Sequence, residues 1–196
     1  PFIVAAILLG IMYPTVFGAN IGTTFTGWMV AILGFKLSLG KVFVPLIFVG
    51  AILRLFAKGR IATIGYTIAG FGLIFVAIGF MQQSMSELHG VVSFDNLPSD
   101  TISGRLLLVG IGVVFTIITQ SSSAGVVASL TALYPGLINF NQAAALVIGM
   151  DIGTTMTAVL ATIGGSAATR RTGFSHVIYN LLTATGAFIL ITPYTM

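Results

Sequence analysis

Two ten-residue stretches place the same hydroxyls, and one amide or acid, at matching positions in otherwise apolar sequence. FGANIGTTFT at 17–26 carries Asn20, Thr23, Thr24 and Thr26, and IGMDIGTTMT at 148–157 carries Asp151, Thr154, Thr155 and Thr157. Setting Asn20 on Asp151 gives an offset of 131 residues (151 − 20), and Gly18, Ile21 and Gly22 then fall on Gly149, Ile152 and Gly153. The GxxxG spacing in each copy accounts for close helix packing, but not for a repeated Thr-Thr-x-Thr. Hydroxyls and freed carbonyls are hard oxygen ligands for a small cation. A helix that starts at a break offers N–H groups and a positive dipole end to an anion. Paired interrupted segments in two halves of a chain mark a transporter site near the bilayer midplane. An ionisable group such as Asp151 costs about 2.5–3.5 kcal/mol at that depth and points to function. Its structural alternative is a cap on a helix starting at Ile152.

A third cluster, TQSSSAG at 119–125, follows 13 apolar residues and precedes more apolar sequence. Gln120, Ser121, Ser122 and Ser123 in hydrocarbon must find partners or solvate a passing substrate. His176 and Asn180 are four apart and share a helical face, and read as an interhelical hydrogen-bonding pair. Arg105 and Arg170 read as loop anchors.

These clusters need elements to hold them. The chain is 57% hydrophobic and 6% charged, with mean hydropathy +1.10. Soluble domains carry about 25% charged residues, so the composition is that of an all-α polytopic membrane protein. A net charge of +4 from eight scattered basic residues makes no phosphate-tracking surface for nucleic acid. Absence of Cys excludes disulfides and thiolate metal sites. Pro1 opens inside an apolar run, which reads as a piece of a longer chain.

Residues 61–81 and 173–192 each supply the roughly 20 apolar residues of a spanning helix. The 45 uncharged residues between Arg105 and Asp151 would make about 68 Å of helix. The serines and YPG at 134–136 interrupt them, which predicts a broken or re-entrant pair with its polar tip inside the bundle. Arg54, Lys58 and Arg60 favour the cytoplasmic side, as do Arg170 and Arg171. Residues 84–103 are then an extracytoplasmic connection between a first half, 1–83, and a second, 104–196.

GANIGTT, TQSSSAG, DIGTT and RRTGFSHVIYNLLTA together resemble the type II sodium-dependent phosphate cotransporters, including their bacterial members. The resemblance covers most of the chain, most weakly over 41–103. It implies an inverted-repeat transporter in which each repeat carries a QSSS and a GxNIGTT element. It implies that Gln120, Ser121, Ser122 and Ser123 line a sodium and phosphate path, with Asn20, Thr23 and Thr24 from the first repeat and Thr154 and Thr155 from the second. Sodium would draw its ligands from Gln120, Ser121, Ser122, Asp151 and Thr154. Two departures stand out. The first QSSS would lie at −11 (120 − 131), upstream of Pro1, and Asp151 replaces the family's more usual Asn.

The expected function is sodium-coupled symport of inorganic phosphate across the cell (inner) membrane by a multi-pass protein. Sodium is the coupling ion, no other cofactor is called for, and a homo-oligomer is left open. Neither a Gly-x-Ser-x-Gly elbow, HExxH nor a P-loop is present, and Asp151 is the single membrane carboxylate, so no enzyme is indicated. A passive anion channel and a non-transporting membrane subunit remain alternatives. Residue chemistry alone does not choose the anion, the stoichiometry or the number of spans.

Overall fold

The computed structural model describes Gly18 and residues 20–34, 39–88 and 98–195. Its elements are α1 (20–29), which passes into a π-helical turn at Val30–Gly34, α2 (Leu39–Phe56), α3 (Gly59–Leu88), α4 (Ile102–Thr119), α5 (Ser122–Leu133), α6 (Phe140–Thr162) and α7 (Ala167–Thr195). No strand occurs among the described residues. Helices α3, α4, α6 and α7 are long and apolar enough to cross a membrane. Large apolar side chains such as Leu55, Phe80, Ile118 and Leu182 face outward. That is the surface lipid requires, since apolar patches this extensive are rare on soluble monomers. The chain is an all-α polytopic membrane protein.

The molecule divides into two compact units, one within 28–93 and 130–137, the other within 1–27, 94–129 and 138–196. In the first, α2 and α3 form an antiparallel hairpin. Their backbones meet at Gly50 and Gly65: a Cβ on either would stand 2.7 Å from the carbonyl oxygen of the other. This is small-residue packing of the kind that holds helices together in lipid. Phe43 and Phe75 stack beside it at 4.3 Å, with Phe71 against both.

In the second unit, α4 and α6 run parallel. Gly112 lies against Leu146, Gly149 and Met150, and Gly153 against Val113 and Thr116, so contacts advance together along both helices. The helix starts are capped by Thr101, whose Oγ1 accepts from Gly104 N, and by the Asn139–Gln142 capping box. Asn139 Nδ2 donates to Ser99 Oγ at 3.3 Å, so α4 and α6 begin at one level. Helix α7 returns antiparallel to α6. Gly173 faces Ala158, Asn180 reaches Asp151, and Ala184 and Ile191 pack with Ile148. Arg105 closes this end by donating to Ser99 O and Thr192 Oγ1, both at 2.7 Å, an anchoring role as its position suggests.

Between α4 and α6 the chain folds back on itself. Helix α4 stops at Gln120, which is left-handed (φ 55°), and α5 starts at Ser122. Gly125 sits against Phe115 and Met150, so α5 returns along α4 rather than extending it. Its 12 residues make about 18 Å of helix, too short for a crossing, and a turn with Gly136 at φ 81° leads to Asn139. The expected re-entrant pair is therefore present.

Two expectations need correction. Helix α6 is unbroken through Asp151, so Asp151 does not cap a helix starting at Ile152; the cap is Asn139. The backbone ladder has no reason to break there, because Thr154 and Thr155 donate to carbonyls of their own helix, Met150 O and Ile152 O. Asn20 likewise lies in a continuous helical run, 20–29, and Gly18 before it is helical as well. Helix α3 runs to Leu88 with Gln83 bonded to Glu87 one turn on, so the first residues of the segment 84–103 are helical; residues 89–97 lie outside the described residues. Finally, the hairpin tip is open and not sealed: Thr119 and Gln120 are exposed and Ser121, Ser122 and Ser123 half-buried.

Candidate functional site

The tip of the α4–α5 hairpin presents both ends of a broken helix at one place. On the α4 side, Gln120 N donates to Thr116 O at 2.8 Å and Gln120 Nε2 to Ile117 O at 2.6 Å. Its amide nitrogen is thereby committed inward, leaving Oε1 as the end that can serve a ligand. On the α5 side, Ser121 Oγ caps the helix by accepting from Ala124 N at 3.2 Å. Ser122 and Ser123 form the first helical turn, where backbone N–H groups have no intrahelical acceptor. A helix C-terminus favours a cation and a helix N-terminus an anion, so the QSSS segment faces both signs of charge.

The two IGTT motifs behave differently. In the second copy the glycines serve packing: Gly149 and Gly153 admit α4, and Thr155 is buried. In the first copy, Cβ atoms on Gly18 and Gly22 would meet nothing within 4 Å among the described residues, and Thr23 and Thr24 are exposed. Thr23 and Thr24 both donate to Asn20 O, at 2.9 and 2.8 Å. Thr154 does the same toward Met150 O at 3.0 Å. Each hydroxyl has spent its proton within its own helix and keeps lone pairs that can ligate a cation.

Asn20 and Asp151, equivalent by the 131 offset, come together through a residue outside both motifs. Asn20 Nδ2 donates to Asn180 Oδ1 at 2.9 Å, and Asn180 Nδ2 donates to Asp151 O at 3.0 Å. Asn180 is fully buried, 0% exposed. The hairpin reaches the same region through Met150, next to Asp151: Met150 Sδ lies against Gly125 and accepts from Ser129 Oγ at 4.0 Å. Gly27, one turn beyond Thr23, packs on Val126 of α5. Thus α5 contacts the helices that carry both motifs.

Two polar groups here lie outside the motifs that the sequence marks as site residues. Asn180 bonds between helices, as its place in an apolar helix one turn from His176 predicts, and its partners are the two motif positions. Thr116 Oγ1, 3% exposed as a residue and packed on Gly153, has no hydrogen-bond partner among the described residues, and nothing in the sequence distinguishes it. His176 Nε2 is also buried without a partner among the described residues. Among the described residues no group of three or more His, Cys, Asp or Glu could hold a metal, so the ligands on offer for a cation are chiefly neutral oxygens.

A helical membrane fold with a re-entrant hairpin beside paired polar motifs defines a transporter-like class. The chain belongs to the Na+/Pi-cotransporter family, whose profile matches residues 4–83 and 84–194. It is 30% identical over 171 residues to "Uncharacterized protein YqeW" of Bacillus subtilis (strain 168), covering 86% of this chain and 53% of that protein. It is 34% identical over 181 residues to "Putative inorganic phosphate export protein YjbB" of Escherichia coli (strain K12), covering 90% of this chain and 31% of that protein. The chain thus spans about half or less of the length of these relatives. No solved structure matches it.

Proposed function

We propose that the protein is a secondary active transporter that moves inorganic phosphate across the cell membrane with Na+ as the coupling ion. Family membership and the phosphate named for the E. coli relative support the substrate. The observation that carries the coupling is the α4–α5 break, where carbonyl, amide and hydroxyl oxygens stand beside an open helix N-terminus. Phosphate is charged at neutral pH and does not enter hydrocarbon unaided. Na+ held by Gln120, Ser121, Ser122, Asp151 and Thr154 offsets its charge, while the N–H groups of Ser122 and Ser123 donate to its oxygens. Asn20, Thr23 and Thr24 complete the site from the first motif. Each net positive charge moved inward gains about 2.3 kcal/mol per 100 mV. Transport, not catalysis, is the activity of this site.

The export named for the E. coli relative bears on direction. A symporter is reversible, and its net flux follows the summed gradients. Radiolabelled phosphate flux in liposomes tests the reading in both directions. Uptake should follow an inward Na+ gradient, and efflux from phosphate-loaded vesicles an outward one. Flux that is indifferent to replacing Na+ by K+ or choline sinks the coupling, and flux that never exceeds equilibrium makes the protein a channel.

A further inference from the structure

Asn180 uses both ends of its side-chain amide at once. Oδ1 accepts from Asn20 Nδ2 at 2.9 Å; Nδ2 donates to the main-chain oxygen of Asp151 at 3.0 Å and lies 3.5 Å from Asp151 Oδ1. An amide has direction: its oxygen only accepts and its nitrogen only donates. The main-chain oxygen of residue 151 is fixed by α6 and can never donate, whatever side chain stands there. That oxygen locks Nδ2 toward α6 and leaves Oδ1 facing α1. The residue at 20 must therefore bring an N–H, which asparagine has and an ionised aspartate lacks. The residue at 151 needs only to accept, which a carboxylate does.

We propose that Asn180 is the positioning residue that sets the polarity of the paired site, demanding an amide at position 20 and confining the acid to position 151. The Asn/Asp difference between two otherwise matching motifs then follows from one buried amide supplied by α7. Asn180 touches neither Na+ nor phosphate in this scheme; it holds Asn20 and Asp151 at a fixed separation. The proposal rests on the transport reading for its consequence, since a cation held between the motifs feels that separation.

The test compares Asn20→Asp with Asn20→Ala, each alone and combined with Asn180→Ala. Asn20→Ala merely removes a bond, whereas Asn20→Asp sets a carboxylate against Oδ1. Asn20→Asp should therefore lower Na+-dependent phosphate uptake about tenfold further than Asn20→Ala, and lower the melting temperature further. Both gaps should close once Asn180→Ala removes the opposing oxygen. Asn180→Ala alone should raise the Na+ concentration for half-maximal uptake about tenfold, with less change in the maximal rate. Equal behaviour of the two position-20 variants overturns the proposal, as does a gap that survives Asn180→Ala, or an Asn180→Ala effect confined to the maximal rate.

Should Asn180→Ala fail to fold, Asn20→Cys/Asn180→Cys decides, because this chain has no Cys. A bifunctional thiol reagent should bridge the pair, and failure to bridge a folded double variant overturns the juxtaposition. Absence of Na+-dependent flux in the unmodified protein defeats the transport reading instead; the melting and bridging comparisons still judge Asn180.

Discussion

Gln120 carries the sharpest demand at the scale of single residues. It holds a left-handed backbone (φ 55°), where a non-glycine residue costs about 1–2 kcal/mol, and its amide donates back to Ile117 O. Gln120→Gly keeps the backbone and removes the amide. We expect it to melt at or above the unmodified protein's temperature while Na+-dependent phosphate uptake falls about tenfold or more. If uptake survives, the amide has no place in the site. The threonines allow a complementary separation. Thr154 spends its proton on Met150 O, so Thr154→Ser keeps the oxygen proposed to hold Na+ and Thr154→Val removes it at nearly constant shape. Na+ affinity measured by uptake should fall roughly fivefold or more in the valine variant and stay close to normal in the serine variant.

At the scale of elements, sequence signalled the polar clusters but not which of them breaks a helix. QSSS and IGTT look alike as interruptions of apolar sequence. The structure breaks only the first, because Gln120 turns left-handed and Ser121 recaps the chain. The IGTT hydroxyls bond to carbonyls one turn back, so α6 continues through them. The glycines of the two copies divide in the same way. A Cβ at Gly149 would run into the carbonyl of Val109, whereas one at Gly22 would meet nothing within 4 Å among the described residues. Gly149→Ala should destabilise the α4–α6 contact by about 1–3 kcal/mol. Gly22→Ala should be neutral or gain up to about 1 kcal/mol of helix propensity. Thermal melts of the detergent-solubilised protein distinguish the two, and equal shifts would remove the packing asymmetry.

At the scale of the whole molecule, loop charge sets an expectation for sidedness in the membrane. In the unit of α4–α7, the starts of α4 and α6 lie at one end, while α7 begins at the other with Arg170 and Arg171 exposed. Arg54, Lys58 and Arg60 flank the α2–α3 connection. By the positive-inside rule we expect each of these basic connections, taken by itself, to face the cytoplasm. Lys58→Cys and Arg170→Cys should react with a membrane-impermeant maleimide only in inside-out vesicles, and Ser103→Cys only in right-side-out ones. Labelling of Ser103→Cys and Arg170→Cys from the same side would refute the parallel α4–α6 arrangement with its re-entrant hairpin.

Composition determined the membrane class, since so few charges leave no soluble surface. The 131-residue offset marked Asn20 and Asp151 as partners, and the serines in apolar sequence marked the hairpin. These are local properties, readable from residue type and spacing. What the chain order could not contain is the meeting of distant groups: Asn180 stands 160 residues from Asn20 and 29 from Asp151. A hydrogen bond between such positions exists only once α1, α6 and α7 pack together. The direction of the Asn180 amide, and with it the different needs of the two motif positions, was decided there by a helix carbonyl that can only accept.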